Sequence, residues 1–280
     1  MLKINLTQEN LHEYFTMPEL PQSWQVTQPT LYNFINNNSN KLIVTVGDSW
    51  TYGAELDSQL RLKQVYGRLV SDQLSADWLN LALSSFGNFW MADIIEELAN
   101  VIPKLKYDKI YIICVFTGVG RWFNTQFDQH IDYVTWFKNN IQKTEDFDKL
   151  LVMLNTNCVS RIKKSLLNFN HVELKIGTNF VDAIGFDDLN TDEILPTPWY
   201  QVLGYNDDKK VYTCISYIRI DEAIHFVDKK YHSTFKQWLI EIVNKSSGRI
   251  ELFNDSKKFK NGHPLVDGHR QWADYILGTL

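Results

Sequence analysis

The stretch Leu42-Ile43-Val44-Thr45-Val46 is a short, apolar, largely β-branched run that stops abruptly at Gly47-Asp48-Ser49. A run of this length with no polar face reads as a strand buried between two layers. Further strand candidates lie at 78–83, 108–116, 149–154 and 172–176. Helix-like stretches separate them, near 58–75, 89–103, 128–143 and 158–168. Strands that alternate with helices form βαβ units and a parallel sheet, and right-handed crossovers place helices on both faces. The expected class is therefore α/β, with a parallel sheet covered on each side.

The remainder of the chain is less regular. Residues 1–40 are polar, are interrupted by Pro18, Pro21 and Pro29, and end in the turn-forming cluster Asn36-Asn37-Asn38-Ser39-Asn40. They read as an N-terminal extension with a short helix near 7–15, and residues 41–280 as one α/β domain. Between about 177 and 220 the alternation fails, around Pro196, Pro198, Trp199 and Tyr200. So long a stretch is expected to be an insertion near the ligand-binding edge or a partner surface. Helices at 221–245 and 268–278 are expected to close the chain.

Composition removes several classes. The 280 residues are 44% hydrophobic and 22% charged, enough for a sizeable core and unlike a disordered chain. A formal charge of −5 argues against a nucleic-acid partner. Cys114, Cys158 and Cys214 are widely spaced and odd in number, which favours a reducing compartment, and Cys114 lies in an apolar run expected to be buried. Residues 1–15 lack the features of a signal peptide, and no window has the apolar length of a membrane span. A cytoplasmic protein without a membrane partner is expected. Gly177-Thr178-Asn179-Phe180 lacks the lysine and spacing of a phosphate-binding loop, and the histidines are too scattered for a metal set, so no cofactor is expected.

Chemistry is concentrated at the end of the first strong strand. A serine hydroxyl needs a base to take its proton and donors to hold an oxyanion. In a parallel sheet such groups assemble at the carboxyl ends of the strands. Ser49 falls there, in Gly47-Asp48-Ser49-Trp50-Thr51-Tyr52-Gly53, where the glycines permit a sharp turn. The bland reading is a common turn tripeptide. Asn80-Leu81-Ala82-Leu83-Ser84-Ser85-Phe86-Gly87-Asn88 follows the second strand candidate, with small residues that let an amide point to the same rim or, blandly, with Asn88 as a helix N-cap. Near the other end, Asn261-Gly262-His263-Pro264-Leu265-Val266-Asp267-Gly268-His269 leads into the last helix. A histidine there can reach the first strand, because chain ends in such folds lie close together. Alone, His263 would read as an ordinary loop histidine.

Taken together, these three blocks resemble the SGNH (GDSL-like) hydrolase family over residues 42 to 277. The resemblance implies a three-layer α/β/α sandwich around a parallel sheet, flavodoxin-like in type, and hydrolysis of an ester or related acyl group. It implies Ser49 as nucleophile, His263 as base, and the amides of Ser49 and Ser85, beside Gly87, as oxyanion donors. Two positions depart from the family pattern. The Gly-x-Asn expected after the third strand reads Phe116-Thr117-Gly118-Val119-Gly120-Arg121, which leaves Thr117 or Arg121 to replace the missing amide. The aspartate expected three residues before the histidine is Lys260. The orienting group is then Asp255, Asp267 or a backbone carbonyl, although Asp267 also suits an N-cap, and His269 reads as structural.

Nine tryptophans and thirteen tyrosines add one further signal. Trp50, Trp122 and Trp199 adjoin expected rim loops, where flat rings suit sugar stacking, whereas Trp238 and Trp272 sit at core spacing. The expected substrate is a small-molecule or glycan ester, with sugar and O-acetyl esters foremost. The competing expectation is a binding module for a glycan or protein that keeps the sandwich and has lost catalysis.

Overall fold

The computed structural model describes residues 33–83, 87–117, 144–179, 189–203, 233, 259–260 and 263–280. Among them, five strands form one sheet: β1 (Asn33–Ile35), β2 (Lys41–Gly47), β3 (Asp77–Asn80), β4 (Lys109–Phe116) and β5 (Val172–Thr178). Their order is β1-β3-β2-β4-β5, with β1 antiparallel to β3 and every other pair parallel. The helices are α1 (Ser49–Tyr52), α2 (Ser58–Gln64), α3 (Tyr66–Gln73), α4 (Asn88–Val101), α5 (Thr144–Leu166), α6 (Trp199–Val202) and α7 (Val266–Leu277). A two-residue pair, β6 (Phe259–Lys260) with antiparallel β7 (His263–Pro264), precedes α7.

Side-chain alternation along the strands makes this a three-layer molecule. Leu42, Val44 and Val46 of β2, with Ile110, Ile112, Cys114 and Phe116 of β4, share one core with Trp90, Ile94, Ile95 and Leu98 of α4 and Cys158, Val159 and Ile162 of α5. The residues between them, Ile43, Ile113 and Val115, share a second core with Tyr66 and Val70 of α3, Trp199 of α6 and Trp272, Ala273 and Ile276 of α7. Each fully buried Leu or Ile contributes about 1.5–3 kcal/mol by leaving water. The architecture is the α/β/α sandwich expected from the sequence, and its parallel strands follow the flavodoxin-type order. Cys114 and Cys158 are free, buried thiols on the first face.

Several elements differ from expectation. The run at 149–154, expected as a strand, lies inside the single helix α5. A short apolar run cannot be told from a buried helical segment by periodicity alone, and here it continues directly into the helix expected at 158–168. The helix expected over 58–75 is two helices, broken at Val65, whose extended backbone (φ −68°, ψ 149°) buries the side chain completely. Strand β3 ends at Asn80, yet the chain stays beside β2 as Leu81 N–H donates to Thr45 O and Leu83 N–H to Gly47 O. The end of the expected N-terminal extension enters the sheet as β1, and the irregular stretch expected from 177 begins after Thr178 and returns to β5 through an Ile176–Ile194 bridge. The helices expected at 7–15, 128–143 and 221–245 fall outside the described residues. Among the described residues no helix is long and apolar enough to cross a membrane.

Candidate active site

In the parallel order β3-β2-β4-β5, the chain leaves β2 toward one side and returns to β4 on the other. The crevice beyond the carboxyl ends of β2 and β4 is the switch point where such sheets bind ligands. Ser49 stands there, two residues beyond the end of β2.

Local chemistry holds Ser49 in a single tight turn. A Cβ on Gly47 would lie 2.1 Å from Thr51 Oγ1, so the close return of α1 over the strand end requires glycine. Asp48 caps α1: its Oδ1 accepts from Trp50 N–H at 2.9 Å and from the Asn179 side-chain amide at 2.9 Å. The second bond ties the turn to the segment leaving β5, where Asn179 N–H donates to Phe116 O. At the other end of α1, Gly53 adopts the left-handed conformation (φ 77°), and the N–H groups of Gly53 and Ala54 both donate to Ser49 O at 3.0 Å.

His263 arrives from the far end of the chain on β7, directly opposite Lys260 in the pairing register. Its Nε2 lies 2.9 Å from Ser49 Oγ, across 214 positions of sequence. Its Nδ1 lies 3.9 Å from Glu55 Oε1. Ser49 is buried, whereas the His263 and Glu55 side chains are 22% and 21% exposed, so the open side of the cluster is the histidine–carboxylate side. Glu55 was not singled out in the sequence. Its signal was its place as the one carboxylate between Asp48 and Asp57, in the turn that closes the nucleophile block.

Asp267, Thr117 and Gly87 are other candidates among the described residues. Asp267 faces solvent at 62% exposure and pairs with Arg270 at 3.5 Å. It occupies the first turn of α7 rather than the cap, which is Leu265, and a carboxylate there favours the helix dipole. Thr117 is buried, and its backbone is committed to Asn88: its N–H donates to Asn88 Oδ1 at 2.9 Å and its carbonyl accepts from Asn88 Nδ2 at 3.3 Å. Asn88 is not a cap either. Gly87 caps α4, and Asn88 bridges Thr117 to Asn155 of α5. Gly87 thus lies between the strand ends and α4, in extended backbone (φ −100°, ψ 177°). Ser85, Arg121 and Asp255 fall outside the described residues, as does Trp122.

The expectation of sugar-stacking rings is corrected for two tryptophans. Trp50 and Trp199 are 2% and 0% exposed and pack edge to face, 5.4 Å between centroids. Their rings belong to the second core, because α1 and α6 fold inward against α3 and α7. His269 is buried in the same cluster, beside Tyr66 and Trp199. Its Nδ1 accepts from Tyr66 N–H at 3.4 Å. Burial pushes its pKa down to about 3, so it is a neutral packing group. Among the described residues no group of three His, Cys, Asp or Glu side chains could hold a metal ion.

No family model matches the chain. One curated relative is a 5-methyltetrahydropteroyltriglutamate–homocysteine methyltransferase of Buchnera aphidicola subsp. Schizaphis graminum, 24% identical over 159 residues. The match takes in 52% of this chain and 21% of that protein, so the chain spans about a fifth of the relative's length. Among solved structures, the chain is similar to a member of the lipolytic protein G-D-S-L family from Veillonella parvula (15% identity, 85% of this chain and 97% of that one, TM-score 0.34). It is also similar to a psychrotrophic esterase from Pseudoalteromonas sp. (10% identity, 85% and 95%, TM-score 0.32). A third is an acetyl-xylooligosaccharide esterase from Geobacillus (15% identity, 86% and 94%, TM-score 0.34). Likeness at this level leaves function to the chemistry of the chain's own site.

Proposed function

We propose that this chain is a serine hydrolase acting on ester bonds, with Ser49 as nucleophile and His263 as general base. The observation that carries the proposal is the 2.9 Å separation of Ser49 Oγ and His263 Nε2 at the carboxyl ends of the central strands. That distance is direct proton-transfer reach. In the neutral tautomer with its proton on Nδ1, His263 accepts the Ser49 hydroxyl proton through Nε2. Oγ attacks the acyl carbon, and the C–O bond to the leaving alcohol breaks as Nε2 returns the proton to the departing oxygen. Water then attacks the acyl-enzyme with His263 again as base, which releases the acid and restores the hydroxyl. The amides of Ser49 and of the segment leading to Gly87 are the candidate oxyanion donors.

The competing reading is a binding module that has lost catalysis; direct reach between Ser49 and His263 favours the enzyme. With Trp50 and Trp199 in the core, aromatic stacking no longer argues for a glycan, and small-molecule esters, O-acetylated sugars among them, form the substrate class to assay. A fluorophosphonate probe tests the nucleophile. Wild-type protein is expected to be labelled and Ser49→Ala to lose all labelling; equal labelling of the two would refute the assignment.

A further inference from the structure

Lys260 stands where the resemblance calls for the carboxylate that orients His263, which leaves Asp255, Asp267 or a backbone carbonyl as the candidates offered by the sequence. We infer that Glu55 fills that role as a positioning residue, supplied from the turn that follows the nucleophile rather than from the segment that precedes the histidine. The inference rests on the hydrolase reading of Ser49 and His263.

Three observations carry it. The first is geometric. The two nitrogens of an imidazole point to different sides of the ring, so with Nε2 at Ser49 it is Nδ1 that turns toward an orienting group. Glu55 lies on that side, with Oε1 3.9 Å from Nδ1. The distance exceeds a hydrogen bond, but it is within the range over which a carboxylate stabilises an imidazolium, and such contacts tighten when substrate binds.

The second observation concerns rigidity. The turn bearing Glu55 is fixed on both sides by Arg61. Its guanidinium donates to Gly53 O at 3.2 Å, to Leu56 O at 2.9 Å and to Tyr52 Oη at 2.6 Å, and it lies 4.2 Å over the Tyr52 ring. Leu56, the next residue, is 4% exposed and anchored in the second core, and its N–H donates to Gly53 O. The backbone on either side of Glu55 is thus held, and a carboxylate on it needs little reorganisation to act on the ring. The third observation removes a rival. Asp267 is turned to solvent and paired with Arg270.

The chemistry assigned to Glu55 has two parts. Its carboxylate favours the tautomer with the proton on Nδ1, the one in which Nε2 is an acceptor. It also offsets the positive charge that His263 acquires when Ser49 gives up its proton. Glu55 itself neither gains nor loses a proton in the cycle.

The test is the rate of fluorophosphonate labelling as a function of pH in wild type, Glu55→Gln, Glu55→Asp, Asp255→Asn and Asp267→Asn. Loss of the orienting carboxylate lowers triad rates by about 10⁴ in well-ordered examples, so a contact at 3.9 Å is expected to give a loss of about 10²-fold or more in Glu55→Gln. A carboxylate raises the histidine pKa, so its removal shifts the acid limb of the profile to lower pH. A merely structural role would lower the amplitude without moving the limb. Glu55→Asp retains the charge on a shorter stem and is expected to restore part of the rate and the original limb. An independent readout uses the ring protons of His263, assigned with His263→Gln and followed by NMR. They are expected to titrate at lower pH in Glu55→Gln, whether or not that variant labels well. Ser49-dependent labelling with an unchanged rate and limb in Glu55→Gln overturns the role of Glu55 and leaves the hydrolase reading intact. So does transfer of both effects to Asp255→Asn or Asp267→Asn. Absence of labelling in wild type overturns both readings together.

Discussion

The two faces of the sheet are built from different materials. The face under α4 and α5 is mainly aliphatic, with Leu, Ile, Val and two cysteine thiols. The face under α3, α6 and α7 is largely aromatic: Trp199 stacks on Trp272 at 5.3 Å, meets Tyr66 edge to face at 5.2 Å and meets Trp50 at 5.4 Å. Aliphatic packing is non-directional, whereas aromatic rings have preferred geometries and polar handles. Two of the handles are used here: Trp199 Nε1 donates to Gly268 O, and Trp78 Nε1 donates to Thr45 Oγ1. The aromatic face joins α1, which begins at Ser49, to α7, which follows His263. Both faces supply bulk stability, and the aromatic one also sets the register between the first and last parts of the proposed site.

The sharpest way to break this comparison is a matched pair of truncations. Trp199→Ala is expected to cost about 3–5 kcal/mol and Ile95→Ala about 2–5 kcal/mol, both measured by denaturant unfolding. Their effects on labelling should diverge. At temperatures where both remain folded, Trp199→Ala is expected to slow labelling of Ser49 because α7 loses its anchor beside α1, and Ile95→Ala is expected to label like wild type. Equal labelling in the two would show that the faces do not divide these tasks.

A second expectation uses pH. His269 is neutral in the folded aromatic face, with its pKa lowered from 6.5 to about 3. The unfolded chain therefore binds one more proton than the folded chain between these values. Stability is unaffected by this group above about pH 6.5 and falls below it by about 1.4 kcal/mol per pH unit, until the folded pKa is reached. Thermal unfolding at pH 7 and pH 5 should thus differ by about 2 kcal/mol more in wild type than in His269→Gln. An equal loss in both would place the acid sensitivity elsewhere. The smallest expected effect lies on the aliphatic side, where Arg161 of α5 bridges Asp93 and Glu96 of α4. The group is partly exposed, so Arg161→Met is expected to cost about 1 kcal/mol or less by the same unfolding assay.

The layers were legible in the sequence because βαβ units repeat a simple period. The buried strand that leads to Ser49 is a strong local signal, whereas the segment carrying His263 gains its meaning from the other blocks of the same domain. Other features needed three dimensions. Leu150 to Leu154 reads equally well as strand or helix until its neighbours decide. Glu55 lacks a motif, because its relation to His263 exists only once β7 has docked. The Asn261-Gly262 dipeptide between the paired residues Lys260 and His263 is a strong hairpin signal that could have placed the histidine on a strand. Trp50 and Trp199 misled because adjacency to a rim loop says nothing about which way a ring turns, and both turn inward.

Strand β1 has a consequence away from the site. An open sheet edge presents unpaired backbone groups that can template association between copies of a chain. Here Asn33–Ile35 cover β3 in antiparallel register, and the Ile176–Ile194 bridge engages the outer side of β5. Among the described residues, the edge strand beside β3 is three residues long, a poor template for a neighbouring molecule. A form clipped before Asn36 would bare the fully buried backbone and side chains of Trp78 and Leu79, and sticking edge to edge would become its main hazard in concentrated solution.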